Sequence, residues 1–366
     1  EPQAGSDLAM IRTRAQPVPA HGFVTLYSDV TERRHAEATI RRQNTELETR
    51  VATRTLQFIV RHAGLHTGDA LEYTGVLALD DLGLPADTHD GVQAQASLLQ
   101  QDALARWLLP RRRNTHKGES GHVLCIGGDE GSGGAIALCT EAALRTGAGL
   151  VSVATRAGHV AALLSRRPEA MVRAAESTSD LVPLLAGSHV VAIGPGLGLH
   201  DWGRALFQHA VRSEKPLVLD ADALNLLADT PQSLEDAILT PHPGEAARLL
   251  GCTTADVQRD RFGAAAAIAQ RHASVVVLKG AGTIVAAPDQ MPRVIDAGNP
   301  GMAVGGMGDA LTGVIAALRA QGLSAFDAAS AGALLHALAG DAAAWDGERG
   351  LLPGDLFPHI RRLANP

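Results

Sequence analysis

The sequence predicts an open α/β fold with a mainly parallel sheet and helices on both faces. From Thr115 onward, short apolar runs, glycine-bearing loops and helical patterns follow one another in the order strand, loop, helix, repeated. Runs such as Val190-Val191-Ala192-Ile193 and Val275-Val276-Val277-Leu278 have no polar side, as expected of strands covered on both faces. Hydrophobic residues make up 46% of the 366-residue chain, enough for a large core, and the length suggests about two domains.

Composition narrows the functional classes. Aromatic residues are only 3%, which argues against stacking platforms for bases, and the net charge of -7 argues against a nucleic-acid partner. No run is long and apolar enough to span a membrane. The cysteines, Cys125, Cys139 and Cys252, are odd in number and lack metal or disulfide spacing, which fits a reducing cytoplasm. The opening Glu1-Pro2-Gln3-Ala4 is neither a signal peptide nor a natural initiator, so a fragment is expected.

Residues 1–55 differ from the rest. Residues 21–28 alternate as a strand. A charged helix follows, with Ile40, Asn44, Leu47, Val51 and Arg54 at coiled-coil spacing, two of them polar. Residues 56–110 form a junction. It holds strand candidates at 56–60 and 76–84, a turn at 64–70 and a short helix from about 93 to 107, closed by Pro110 and an arginine run. Residues 111–366 carry the repeating α/β pattern.

Within 111–366, chemistry-bearing residues collect where strands end, the place where open α/β sheets bind ligands. After the strand 122–126 come Gly127-Gly128-Asp129-Glu130-Gly131-Ser132-Gly133-Gly134-Ala135 and a helix. Such a loop suits a dinucleotide pyrophosphate, although its spacing is not Gly-x-Gly-x-x-Gly. The strand 190–193 closes on Gly194-Pro195-Gly196-Leu197-Gly198. The strand before Asp220-Ala221-Asp222 puts two acids at its end, positioned to order water around Mg²⁺; helix capping by Asp222 is the alternative. In Thr240-Pro241-His242-Pro243-Gly244-Glu245, two prolines fix the direction of His242. Lys279-Gly280-Ala281-Gly282-Thr283 offers a cation and a flexible loop to a nucleotide. His336, inside a helix at 325–344, reads as packing or as support for the site.

The stretch Asn299 to Gly313 is the focus. Gly305, Gly306 and Gly308 permit close approach of a ligand to the main chain. The helical pattern that starts at Ala310 offers amide groups and a positive dipole end to an anion. Asp309 at this mouth is either a helix cap or a proton acceptor for an attacking hydroxyl.

Gly-Gly-x-Gly-Asp before a helix resembles the anion-hole and catalytic-aspartate motif of the ribokinase-like superfamily. Lys117-Gly118, residues 143–151, Pro168-Glu169-Ala170-Met171 and the motifs above extend the likeness from Thr115 to the chain end. This region resembles the ADP-dependent NAD(P)H-hydrate dehydratase family. The resemblance implies a lyase that converts (6S)-NADHX or NADPHX to NADH or NADPH, with ADP as co-substrate and Mg²⁺ present. It implies Asp309 as the catalytic base and Ala135, Gly198, His242 and Asp309 against the hydrated nucleotide. It also implies Lys279, Gly280, Ala281, Gly282, Thr283 and Gly308 at ADP, an anion hole of Gly305, Gly306 and Gly308, and supporting acids Asp220, Asp222 and Glu245 near the metal. A homo-oligomer, tetrameric or larger, is the family's habit. Pro300 departs from the small residue that family members carry there. Rival readings are a vitamin-alcohol kinase of the same fold and a non-catalytic nucleotide-binding module.

Asp29-Val30-Thr31-Glu32-Arg33 and the helix after it resemble the end of a PAS sensor domain with its signalling helix, and the junction resembles the tail of an NAD(P)H-hydrate epimerase. Neither activity is carried over, because the cores of both domains lack counterparts. Everything ahead of about Gln93 is therefore expected to be dispensable for turnover.

Overall fold

The computed structural model describes residues 55–58, 62–74, 76–79 and 94–365. The strand and charged helix expected before residue 55 lie outside these residues. The chain falls into two compact units. His66–Gly68 belong with the residues from Gln95 onward and not with their chain neighbours.

In the smaller unit, β1 (Thr55–Phe58) pairs in parallel with β2 (Val76–Leu79). Parallel pairing requires a crossover, and the short α1 (Ala70–Thr74) lies on it.

The larger unit begins with β3 (Ser97–Leu98) and a 3-10 turn, Gln101–Arg106, where the sequence suggested one helix. Leu99, Ala103 and Leu104 are buried, at spacings that imitate a helix. The main chain decides otherwise: Ser97 donates to the Pro292 carbonyl and Leu99 to that of Val294, and the segment becomes a sheet edge. The α/β unit thus takes in residues ahead of 111, the expected boundary.

Strand and helix then alternate through β4 (His122–Ile126), α2 (Gly133–Thr146), β5 (Leu150–Thr155), α3 (Ala157–Arg166), β6 (Met171–Ala174) and α4 (Thr178–Gly187). Next come β7 (Val190–Ile193), α5 (Asp201–Val211), β8 (Leu217–Leu219), α6 (Ala221–Asp229) and β9 (Ile238–Leu239). Helices α7 (Pro243–Leu250), α8 (Thr254–Arg259) and α9 (Arg261–His272) precede β10 (Val275–Leu278), β11 (Thr283–Ala286) and β12 (Arg293–Ile295). Three helices finish the chain: α10 (Met307–Ala320), α11 (Ala325–Ala343) and α12 (Pro353–Leu363).

These strands form one ten-stranded sheet in the order β3-β12-β11-β10-β9-β8-β7-β4-β5-β6. Its pairs are parallel except those that β11 makes with β10 and β12. Successive side chains of a strand point to opposite faces. Val123, Cys125, Val190, Ala192, Val275 and Val277 therefore enter one core with α10 and α11. Leu124, Ile126, Val191, Ile193, Val276 and Leu278 enter a second core with α5, α6 and α9. Both faces are covered, which is why these strands read as unbroken apolar runs.

The sheet grows one way from β4 through β5 to β6, then returns to the other side of β4 with β7. The loops after β4 and β7 thus lie at a topological switch point, the crevice where such sheets take ligands. Two main-chain bonds join them there, from Gly128 to the Pro195 carbonyl at 3.0 Å and from Asp129 to that of Gly196 at 2.6 Å. Helix α10 packs along α2, and Gly313 is the contact: a β-carbon there would run into the Cys139 carbonyl oxygen and the Ala142 side chain.

Gly313→Ala should push α10 off α2 and destabilise the unit by about 1–3 kcal/mol, the usual cost of overpacking. Denaturant unfolding of the variant and the parent measures it.

Candidate functional site

The carboxyl ends of β8, β9 and β10 place Asp220, Glu245 and Lys279 together. Lys279 Nζ lies 2.6 Å from Asp220 Oδ1 and 3.8 Å from Glu245 Oε2. The side chains of Asp220 and Lys279 are 2% and 18% exposed, so neither sits at the surface. Thr312, on α10, donates to the other Asp220 oxygen at 2.9 Å. Burial pushes the Asp220 carboxyl up, but the Lys279 charge and the hydrogen bonds of Lys279, Thr312 and Thr240 more than offset it, and the pKa falls below the usual carboxylate range. Burial likewise pulls Lys279 down, and the Asp220 and Glu245 charges raise it above its usual value. The pair is therefore ionised. Just after Asp220, Ala221 takes φ 47°, a left-handed conformation that costs a non-glycine residue of order 1 kcal/mol or more. Gly194 lies against the Asp220 carbonyl, where a β-carbon would not fit.

Above this pair stands the opening turn of α10. The helix starts at Met307, three residues before the apolar pattern that marks it in the sequence. Gly306, at φ 96°, is its N-cap and backs onto Leu138 and Pro353. Gly305 and Gly306 precede the first turn and Gly308 lies within it, where amide N–H groups have no helical acceptor. Pro300 opens a 3-10 turn, Pro300–Met302, a position that suits its fixed φ. Asp309 is partly buried in the first turn. Burial, then the Asp220 charge, raise its pKa to about 6, against the opposing pull of Lys279. His336 is buried, and burial lowers its pKa to about 4 against the opposing influence of the Met307 main chain.

His242 is the N-cap of α7. Its Nδ1 accepts from the Gly244 amide at 3.0 Å and lies 3.4 Å from that of Glu245, while Glu245 accepts from the His242 amide at 2.8 Å. An accepting Nδ1 places the proton of the neutral ring on Nε2. Burial, then the Lys279 and Arg248 charges, lower the His242 pKa. The ring is half-exposed, and its Nε2 lies 3.4 Å from Glu245 Oε1. Capping and ligand contact are compatible roles for the one side chain.

Ala135 opens α2 beside the β7 loop: a β-carbon on Gly196 would lie 3.3 Å from that of Ala135. Gly198, at φ 74°, donates its amide to Asp222 Oδ2 at 2.8 Å and backs onto Asp129. Asp129 pairs with Arg156 at 2.8 Å. The predicted nucleotide loop follows β10 with Gly280 at φ 127° and Gly282 at φ 63°. Lys279 is part of the ion pair beneath it, so its charge reaches a ligand from below. Gly308 lies between the two loops, since a β-carbon there would be 3.1 Å from Lys279 Nζ.

Thr312, Asp129, Arg156 and Arg261 were not singled out from the sequence. Only Thr312 carried a signal, at three residues beyond Asp309 on the same helical face. Asp220 spends both oxygens on Lys279 and Thr312, Asp222 accepts from the Gly198 amide through Oδ2, Glu245 accepts from the His242 amide through Oε2, and among the described residues no group of three His, Cys, Asp or Glu could hold a metal. These acids do not fit a direct coordination shell. A cavity of about 810 Å³ lined by Trp107, Arg111, Arg145, Leu318 and Gln321 lies at the other end of α10 and includes none of the predicted site residues.

Residues 123–362 match the family described as NAD(P)H-hydrate dehydratase. The bifunctional NAD(P)H-hydrate repair enzyme of Coxiella burnetii is 50% identical over 316 residues, which cover 86% of this chain and 65% of that protein. Its Escherichia coli counterpart is 49% identical over 317 residues, covering 86% and 61%. The chain thus spans less than two thirds of these relatives. Among solved structures, a ribokinase-like superfamily protein from Enterococcus faecalis superposes with a TM-score of 0.69 at 30% identity, over 75% of this chain and 98% of that one. The ADP/ATP-dependent NAD(P)H-hydrate dehydratase of Bacillus subtilis, co-crystallised with ATP/Mg²⁺, gives 0.66 at 27%, over 74% and 98%.

Lys279→Met should strand the Asp220 carboxylate in the core and cost about 3–5 kcal/mol, the usual effect of removing one partner of a buried pair. Adding Asp220→Asn should recover a large part of that loss. Chemical denaturation of the parent, single and double variants at pH 7 tests both expectations.

Proposed function

The chain belongs to the NAD(P)H-hydrate dehydratase family and has its ribokinase-like α/β fold, and from that premise we propose that it dehydrates (6S)-NADHX and NADPHX at the expense of ADP. One observation carries the reading. Asp309, with its raised pKa, stands at the mouth of an amide-lined helix start, with a buried lysine behind it.

Asp309 accepts the proton of the C6 hydroxyl of the hydrated nicotinamide ring. The oxygen attacks the β-phosphorus of ADP, and the bond from that phosphorus to the oxygen of AMP breaks. Amides of Gly305, Gly306 and Gly308 stabilise the transferring group as charge builds on its oxygens. The ring nitrogen lone pair then expels phosphate, and loss of a ring proton restores the double bond of NADH or NADPH. Phosphorylation turns hydroxide, a poor leaving group, into phosphate, which accounts for a lyase on a kinase fold. His242 offers its half-exposed imidazole to the hydrated ring, and Ala135 and Gly198 border its path across the switch point. Residues 279–283 hold the ADP ribose and phosphates. Mg²⁺ belongs to the nucleotide substrate in this reading, because Asp220 is already engaged by Lys279 and Thr312 and no group of three acids, His or Cys among the described residues could hold it.

The base must be ionised, so kcat/KM should rise with pH through about 6 and level off above it. Asp309→Asn should lower turnover of hydrated NADH by about 10²–10⁴-fold while leaving ADP affinity intact or slightly tighter. The raised pKa also means that ionised Asp309 destabilises the fold above about pH 6. The variant should therefore gain stability at pH 8, and the gain should fade as the pH falls toward 4. Turnover near the parent rate would remove Asp309 from the chemistry.

A further inference from the structure

We propose that Thr67, clamped by Arg261, is a positioning residue for the 279–282 loop, so that a residue from the segment ahead of the α/β unit shapes its nucleotide site. The loop's role toward ADP rests on the reading above; the clamp itself stands on geometry.

His66–Gly68 are built into the larger unit. The Gly68 amide donates to the Ala281 carbonyl at 2.8 Å. Thr67 Oγ1 donates to the Gly282 carbonyl at 2.6 Å and accepts from Arg261 Nε at 2.8 Å. Gly282 lies so close to the main chain of His66 and Thr67 that a β-carbon would not fit. His66 Nδ1 lies 2.7 Å from Asp296, just ahead of the strand-to-loop connection that leads to Asn299 and the anion turn. The three residues therefore touch both loops that flank the predicted phosphate position.

Arg261 is buried at 4% exposure, and among the described residues no carboxylate pairs with it. Burial alone lowers its pKa to about 10, so it stays charged. Its Nη2 lies 3.3, 3.2 and 3.4 Å from the carbonyl oxygens of Leu278, Lys279 and Gly282, and Nη1 donates to Gln258 at 2.9 Å. A buried guanidinium satisfied by carbonyls fixes the direction of those peptides. The C=O and N–H of a trans peptide point opposite ways. Holding the Lys279 carbonyl inward thus turns the Gly280 amide outward, and Gly280 and Ala281 are exposed with no protein acceptor for their amides among the described residues. Without the Thr67 hydroxyl, Arg261 loses one partner and Gly282 its shortest one. The loop can then rotate its peptides, and the ordered amides are lost.

The proposal runs against the expectation that everything before about Gln93 is dispensable. The test uses the full chain with Thr67→Val, which keeps the shape and removes the hydroxyl, and Thr67→Ser, which restores it. ADP and NADPH dissociation constants come from calorimetry, and KM and kcat from turnover of hydrated NADH. Thr67→Val should raise the Kd and KM for ADP about tenfold, the worth of about one hydrogen bond. NADPH affinity and kcat should change less than about twofold to threefold, and Thr67→Ser should return to near the parent value. Ala281→Pro serves as a loop control. An unchanged ADP Kd in Thr67→Val beside a loss in the control overturns the clamp and leaves the loop reading standing. An unchanged Kd in the control as well overturns the loop reading and the proposal with it. Equal loss of both ligands makes Thr67 a general stabiliser and rejects the positioning role.

Discussion

The ion pair between Lys279 and Asp220 is the constraint on which the site depends. Each charge is tolerable in the interior because the other neutralises it and hydrogen bonds satisfy what remains. The pair joins the ends of β8 and β10, strands that are separated in the sheet by β9. Thr312 brings α10 into the same knot through Asp220. The height and rotation of the α10 start, and so the position of Asp309, follow from a contact beneath the ligand surface. Lys279 holds a fixed positive charge beside Gly308.

That field is balanced by three carboxylates. Lys279 favours ionised Asp309, whereas burial and the charges of Asp220, Asp222 and Glu245 oppose it. The balance leaves a carboxyl with a pKa of about 6, mostly ionised at neutral pH. Arrival of a polyanionic nucleotide adds further negative charge and should draw the carboxyl higher. Histidine at 242 does not add a competing cation, because its Nδ1 is committed to capping and burial holds its pKa down.

Main-chain contacts complete the site. Gly194 meets Asp220, Gly282 meets His66 and Thr67, and Gly313 meets Cys139. At each of these places a side chain would separate two segments whose spacing sets a loop or helix of the site. Packing glycines therefore lie beside ligand-facing ones, and only the three-dimensional neighbours distinguish them.

Much of this was legible in the sequence. Apolar runs without a polar side required a sheet covered on both faces, and glycine loops at strand ends located the crevice. Gly305-Gly306-Met307-Gly308-Asp309 before a helical pattern placed an acid at an anion-binding helix start. The sheet reading holds because it rests on side-chain alternation, and Asp309 does stand in the first turn of a helix. The partners were not legible. Nothing near Lys279 in the sequence announces Asp220, the partner 59 residues away that it bonds. Residues 97–98 read as helix because their sheet bonds come from the main chain, which every residue shares. Thr67 and Arg261, 194 residues apart, are ordinary residues in ordinary segments. Only tertiary structure decided that residues 66–68 pack against the loop after β10, since long-range contacts leave no periodicity in the chain.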